Sequence, residues 1–424
     1  TANVLTGLAP YFNLTFNSSG STYSLAAITD VDGTLTLTAG TLDVSGTNYG
    51  MTVGAGWTDT GAGTFTEGSG TVTFDGTGTV NSNEAFENVG IAGTVTLGAA
   101  LDADGTLTLT SGSLDVSGTN YGITVGASWT DAGAATFTEG TGTVTFDGTG
   151  TLNSNEAFRN VTLNTAGTIT LGAALDADGN LTITSGTLDT ANSLNYGITV
   201  GANWANSGTF TARSGLVTLD TTAAAAISGN TTFNNLTSVT AAKALTFTAA
   251  STQTVSGVLT LTGSAGNLIT LRSSVTDTAW NLTVNGSYSI SYVDVKDSNA
   301  SGGVAIVPTN STNSLGNTNW TFNRAPTVAS VTGVQAATGT ANVTITFIIS
   351  DLDSDNTIQA KVEYSLDGGS TWNDPTLSTT GADTSATFGD PSVDNAVTYQ
   401  VGQSGAYILS SSGANTVTTV WVGA

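Results

Sequence analysis

The stretch from Asp30 to Phe86, DVDGTLTLTAGTLDVSGTNYGMTVGAGWTDTGAGTFTEGSGTVTFDGTGTVNSNEAF, decides the fold because it returns. From Asp102 the chain reads DADGTLTLTSGSLDVSGTNYGITVGASWTDAGAATFTEGTGTVTFDGTGTLNSNEAF, and a looser third copy starts at Asp176. Tyr49, Tyr121 and Tyr196 mark the period, as do Trp57, Trp129 and Trp204: 72 residues, then 75. Self-similarity of this kind is the signature of a repeat architecture.

Within each copy the apolar period is two. In Thr34-Leu35-Thr36-Leu37-Thr38 the leucines face one way and the threonines the other, and Val72 with Phe74 and Val95 with Leu97 do the same. Alternation of this kind, rich in β-branched residues, describes half-buried strands. Gly, Asn, Asp and Ser separate runs of about five residues and supply the turns. No segment has helical periodicity, and Pro10 and Pro308 are the only prolines before residue 320.

About eight such strands fit in one copy. Tandem β-sandwiches or a parallel β-solenoid with roughly three strands per coil could hold them. The solenoid is preferred. The strands are short and closely spaced, the insertions near Asn164 and Ser193 fall at turns, and no linker divides the copies. Three coils per copy would advance the axis about 14 Å, and residues 1–322 would form a rod of about 13 coils, some 60–65 Å long.

Composition narrows the function. The chain has 424 residues, 31 of them acidic and 7 basic, with no Cys and no His, for a net charge of −24. The first 158 residues carry 15 acidic side chains and no basic one. Such a surface repels nucleic acid and anionic lipid. Zinc sites, disulfides, thiol nucleophiles and imidazole bases are excluded outright. No apolar run approaches the roughly 20 residues that span a bilayer, so no membrane insertion is expected. Thr rather than Met stands first, which suggests a piece of something longer, and the Thr, Ser, Gly and Asn content fits an exported surface protein.

The runs FNLTFNSSG (from Phe12), LTLTAGTLD (from Leu35), NLITLRSSVTDTAWNLTVNGS (from Asn267) and SYVDVKDSNASGG (from Ser291) resemble the β-strand-repeat regions of large bacterial surface proteins. Those regions are adhesin-like or filament-like parallel β-helices. The resemblance covers roughly residues 1–322, is architectural, and implies a location and a fold more than an activity.

After Trp320 the pattern breaks at a linker, 323–326, and residues 327–424 resemble an immunoglobulin-like or fibronectin-type module. The expected fold class is therefore all-β: a parallel β-solenoid rod followed by an Ig-like β-sandwich, whose last strand is missing if the chain stops at residue 424. Within the second part, Ser365–Trp372 fits the Asp-box pattern S-x-D-x-G-x-T-W, read as a hairpin brace with Trp372 packed beneath.

Few residues invite chemistry. Asp351, Asp353 and Asp355 alternate as hard-cation ligands do, giving a candidate calcium site beside the simpler reading of a solvated acidic loop. The DVDG and DADG turns (Asp30/Asp32, Asp102/Asp104, Asp176/Asp178) could serve a polysaccharide hydrolase, but copies a whole repeat apart cannot share one site. An Asn precedes an aliphatic residue at Asn13, Asn88, Asn160, Asn235 and Asn281, read as a left-handed turn residue whose amide bonds along the stack. All but Asn88 also fit the glycosylation pattern. The recurrent Tyr and Trp are core residues or, less simply, a sugar-stacking stripe. No cofactor other than calcium is expected.

The expected function is that of a non-enzymatic extracellular structural protein, a self-assembling subunit of a filament, sheath or surface layer on a bacterium. Its partner is itself, with strand Thr1, Ala2, Asn3, Val4 and Leu5 completing a neighbour's sheet. The alternatives are an adhesin stalk that binds surface glycans and, third, a polysaccharide-degrading β-helix enzyme.

Overall fold

The computed structural model describes residues 3–5, 10–59, 61–131, 133–191, 193–322, 327–335, 342–350, 357–358, 362–377, 385–387, 408–409 and 415–422. They form two compact units, Thr1–Trp320 and Thr321–Ala424. No helix occurs among the described residues.

The first unit is a parallel β-solenoid of about 14 turns. Each turn contributes short strands to three faces, and each strand pairs in parallel with its counterpart one turn later. On the first face Met51 lies beside Val72, then Val89, Leu107, Trp129, Leu152 and Leu171 in successive turns. The second face runs Leu35, Trp57, Val80. The third runs Leu101, Ile123, Val144, Val161, Leu181, Trp204. Turn length varies: Phe74 pairs with Ile91, 17 residues on, and Phe247 with Ser273, 26 residues on. The difference is absorbed at corners. Strand Asn160–Leu171 bends round one in a continuous ladder whose register shifts near Asn164, where the sequence carries an insertion.

One copy contains more strands than its alternation suggests. Between Thr29 and Leu101 the inward anchors are Val31, Leu35, Leu42, Met51, Trp57, Phe65, Val72, Val80, Phe86, Val89 and Val95, all buried. That is eleven segments instead of about eight, and eleven segments on three faces make three and two-thirds turns. The extra ones are short: Met51–Val53 has three residues, Phe86 pairs through a single bridge to Ala103, and Thr34–Asp43 turns a corner to serve two faces. Successive copies therefore do not stack. Trp57 stands on the second face, Trp129 on the first and Trp204 on the third. At about 4.8 Å per turn the copies lie roughly 18 Å apart along the axis.

The interior explains why so Gly-rich a chain folds. In each copy a Trp meets two Phe rings: Trp57 lies 5.0 Å from Phe65 and 5.1 Å from Phe86, mostly edge-on. Trp129 with Phe137 and Phe158 repeats this at 5.0 and 5.1 Å, and Trp204 with Phe210 and Phe233 at 4.9 and 5.1 Å. Such pairs add about 0.5–1.5 kcal/mol each beyond the area they bury.

At the corner between first and second faces the backbones of successive turns touch. A Cβ on Gly76 would lie 1.8 Å from Gly54 O, and one on Gly93 1.9 Å from Gly76 O. No side chain fits there, so glycine is obligatory.

The second unit pairs differently. Thr327–Gln335, Val343–Ser350, Asn415–Trp421 and Ser385–Thr387 form a four-stranded antiparallel sheet, and Thr357–Ile358 pairs with Ile408–Leu409. Ile345, Phe347, Ile349 and Val417 make its core. The Ig-like expectation reaches this antiparallel pairing and stops there.

Candidate functional site

Asp351, Asp353 and Asp355 lie outside the described residues, as do Thr1 and Ala2. Strand Asn3–Leu5 pairs in parallel with Tyr23–Leu25 of the same chain, and among the described residues no strand takes its other edge.

The asparagines do bond along the stack, though their conformation differs from the expectation. None of Asn13, Asn88, Asn160, Asn235 and Asn281 is left-handed; that role falls to Asn48, Asn120 and Asn195. Asn88, Asn160, Asn235 and Asn281 sit in strands and Asn13 just before one, and each side chain reaches a neighbouring turn instead. Asn88 Oδ1 accepts from Thr106 N–H at 3.0 Å while its Nδ2 donates to Ser69 O at 3.3 Å. Asn160 accepts from Asn180 N–H at 3.1 Å and donates to Thr141 O at 3.1 Å and Gly142 O at 3.2 Å. Asn13 and Asn235 accept from Thr34 and Val258 N–H, both at 2.9 Å, and Asn281 donates to Ala250 O at 3.2 Å. These amides satisfy corner backbone that strand pairing leaves open.

The aromatic marks separate. All of the repeat tryptophans are buried, whereas Tyr49 and Tyr121 are each 38% exposed. The tyrosines occupy three different corners, because the copies rotate, and form no stripe. The Asp-box hairpin closes as read: Asp367 accepts from Ser370 and Thr371 N–H at 2.9 and 2.8 Å and from the Thr371 hydroxyl at 2.7 Å. These bonds, the Thr371 hydroxyl first, hold its carboxyl well below the usual carboxylate range. Trp372 corrects the expectation, being 61% exposed at the hairpin instead of packed beneath it.

The DxDG pairs fall on three faces, Asp30 on the first, Asp102 on the third and Asp176 on the second, which separates them further than a simple stack would. Burial pushes Asp102 and Asp176 upward, with Asp104 and Asp178 the next causes. The carboxyl raised furthest among the described residues carries no mark in the sequence. Glu67 is pushed up to about 7, first by burial, then by a hydrogen bond to Asp104 and by the charges of Asp104, Glu87 and Asp102. Glu67 and Glu87 border a narrow cleft of about 10 Å³ lined also by Met51, Phe65 and Val72. Their spacing becomes meaningful only once turn length is known, since the two belong to successive turns. In the second copy Arg159 stands at the position of Glu87. Among the described residues no group of three or more acidic side chains is arranged to hold a metal ion. A carboxyl held protonated near neutrality could donate a proton, as a glycosidase acid does.

Beyond residue 158, Arg213, Lys243, Arg272 and Lys296 join adjacent turns. Arg213 donates twice to Asp189, at 3.1 and 2.8 Å, which holds that carboxyl below its ordinary range. Arg272 pairs with Asp294, and Lys296 lies 3.8 Å from Asp277 of the preceding turn and 3.6 Å from its neighbour Asp297. Buried Lys243 donates to Thr221 O at 2.7 Å and Ala223 O at 3.1 Å, and burial pushes its amine down.

Fold and geometry together define a parallel β-solenoid repeat protein. No protein-family model matches the chain, and no curated protein or solved structure matches it either.

Proposed function

We propose that the chain is a non-enzymatic structural protein of the bacterial exterior, the subunit of a self-assembling filament, sheath or surface layer. One observation carries this reading: what the copies repeat is interior and corner, and the copies rotate about the axis, so the repetition lengthens a shaft without lining up sites along it. Head-to-tail contact through Thr1–Leu5 is part of the proposal, as is an Ig-like second module. Pairing of Asn3–Leu5 with Tyr23–Leu25 means that a donor strand either exchanges this contact or extends its other edge. Electron microscopy of the native protein should show polymers. Deleting residues 1–10 should leave monomers, and undiminished filaments would remove the donor role.

Calcium at Asp351, Asp353 and Asp355 is tested by melting with and without a chelator, since a ligand bound only to the folded state raises its melting temperature. A second reading, an adhesin that binds surface glycans, is favoured by Trp372, an exposed ring on a hairpin braced by Asp367. Its test is a glycan array on which Trp372→Ala abolishes binding.

A further inference from the structure

Buried polar atoms without a partner are rare in folded proteins, and here they occur as a matched set. Trp57 and Asp59 point inward from one strand, two residues apart and 0% and 7% exposed. Asp59 Oδ1 accepts from Gly61 N–H at 2.9 Å, but Asp59 Oδ2 and Trp57 Nε1 meet no partner in the protein. The second copy repeats the arrangement. Asp131 Oδ1 accepts from Gly133 N–H at 2.9 Å, and Asp131 Oδ2 and Trp129 Nε1 are left over.

The third copy shows what the position can hold. Trp204 Nε1 donates to Thr231 Oγ1 at 3.1 Å, and Asn206 Nδ2 donates to the same oxygen at 3.2 Å. One oxygen therefore reaches both inward side chains. Thr231 lies two residues before Phe233, and the matching residues before Phe86 and Phe158 are Glu84 and Glu156. A glutamate brings no hydroxyl, and its carboxylate beside Asp59 would set two like charges together in a poorly screened interior. The nearby Ser82 hydroxyl is engaged with Glu84 itself, accepting from its N–H at 3.1 Å.

We propose that the first two copies each enclose one ordered water at the place Thr231 Oγ1 takes in the third. The flanking groups select the ligand. An indole N–H only donates, so the guest must offer a lone pair, which excludes a metal cation. An ionised carboxylate only accepts, so the guest must carry a proton, which excludes simple anions. Water satisfies both and needs two polar partners to stay. Trp280 is the internal control. Its Nε1 also lacks a partner, but Leu282 stands where Asp59 would, so a water there would have a single anchor.

The test is proton NMR of the indole N–H groups with water-selective magnetisation transfer. Trp57 and Trp129 should show contact with a long-lived water, and Trp204 and Trp280 should not. Glu84→Thr should abolish the signal at Trp57, leave that at Trp129 and hold or raise the melting temperature. Absence of the water signal at both Trp57 and Trp129, or its equal presence at Trp204, overturns the proposal. If Glu84→Thr does not fold, the wild-type pattern alone decides.

Discussion

The two halves of the solenoid, residues 10–158 and 159–320, share a backbone and differ in how they treat charge. The first half has no basic side chain, and its carboxylates bond backbone N–H groups, as Asp59 and Asp131 do, or crowd one another, as Glu67 and Asp104 do. In the second half Arg213, Lys243, Arg272 and Lys296 each reach the neighbouring turn, Lys296 through Asp277. Yet the three faces and the Trp–Phe–Phe cluster continue across the boundary. Apolar filling and parallel backbone pairing are therefore sufficient for the fold, and ion pairs between exposed groups are a small addition to it.

The largest expected effect tests that equality of cores. Trp57→Ala and Trp204→Ala should each cost about 3–5 kcal/mol in urea unfolding, because each empties an aromatic cluster. A cost confined to one half would break the comparison. Next comes the asparagine ladder. Asn160→Ala removes bonds to three backbone groups at the boundary and should cost about 1–3 kcal/mol by the same measurement.

Acid should move the halves in opposite directions. Glu67 has its folded value raised to about 7 from an ordinary 4.5, so its contribution is fully present below about 4.5 and is lost as pH rises toward 7. Asp189 is lowered by Arg213, so its contribution holds above its ordinary value and is lost as pH falls. Hydrogen exchange at Thr66–Gly68 should accordingly quicken between pH 5 and 7.5 relative to Ser207–Gly208 after correction for intrinsic rates. Glu67→Gln should flatten the first response; an unchanged profile would mean that the Glu67–Asp104 contact does not form. The smallest effect is Arg213→Ala, a slight destabilisation that shrinks further in high salt, since that guanidinium is well exposed.

Much of the solenoid could be read from the chain. Alternation in Thr34–Thr38 announces a strand, and the copies announce a repeat architecture. Strand number could not be read, because Phe86 pairs through one residue and Met51–Val53 through three, too few to display a period. Glu67 and Glu87, and their meeting with Asp104, escaped for a related reason. They meet only because particular turns have particular lengths, a property set by corners. Trp372 was placed wrongly because the Asp-box pattern fixes the hairpin's hydrogen bonds and says nothing of what lies under it.

Three and two-thirds turns per copy makes the repeat a screw operation: advance along the axis and rotate by a third of a revolution. Whatever mark each copy bears on its outside is wound around the shaft like a thread and regains its original bearing only after three copies, eleven turns on. Duplicating one copy would lengthen the shaft without disturbing its interior, while re-aiming everything downstream of the insertion.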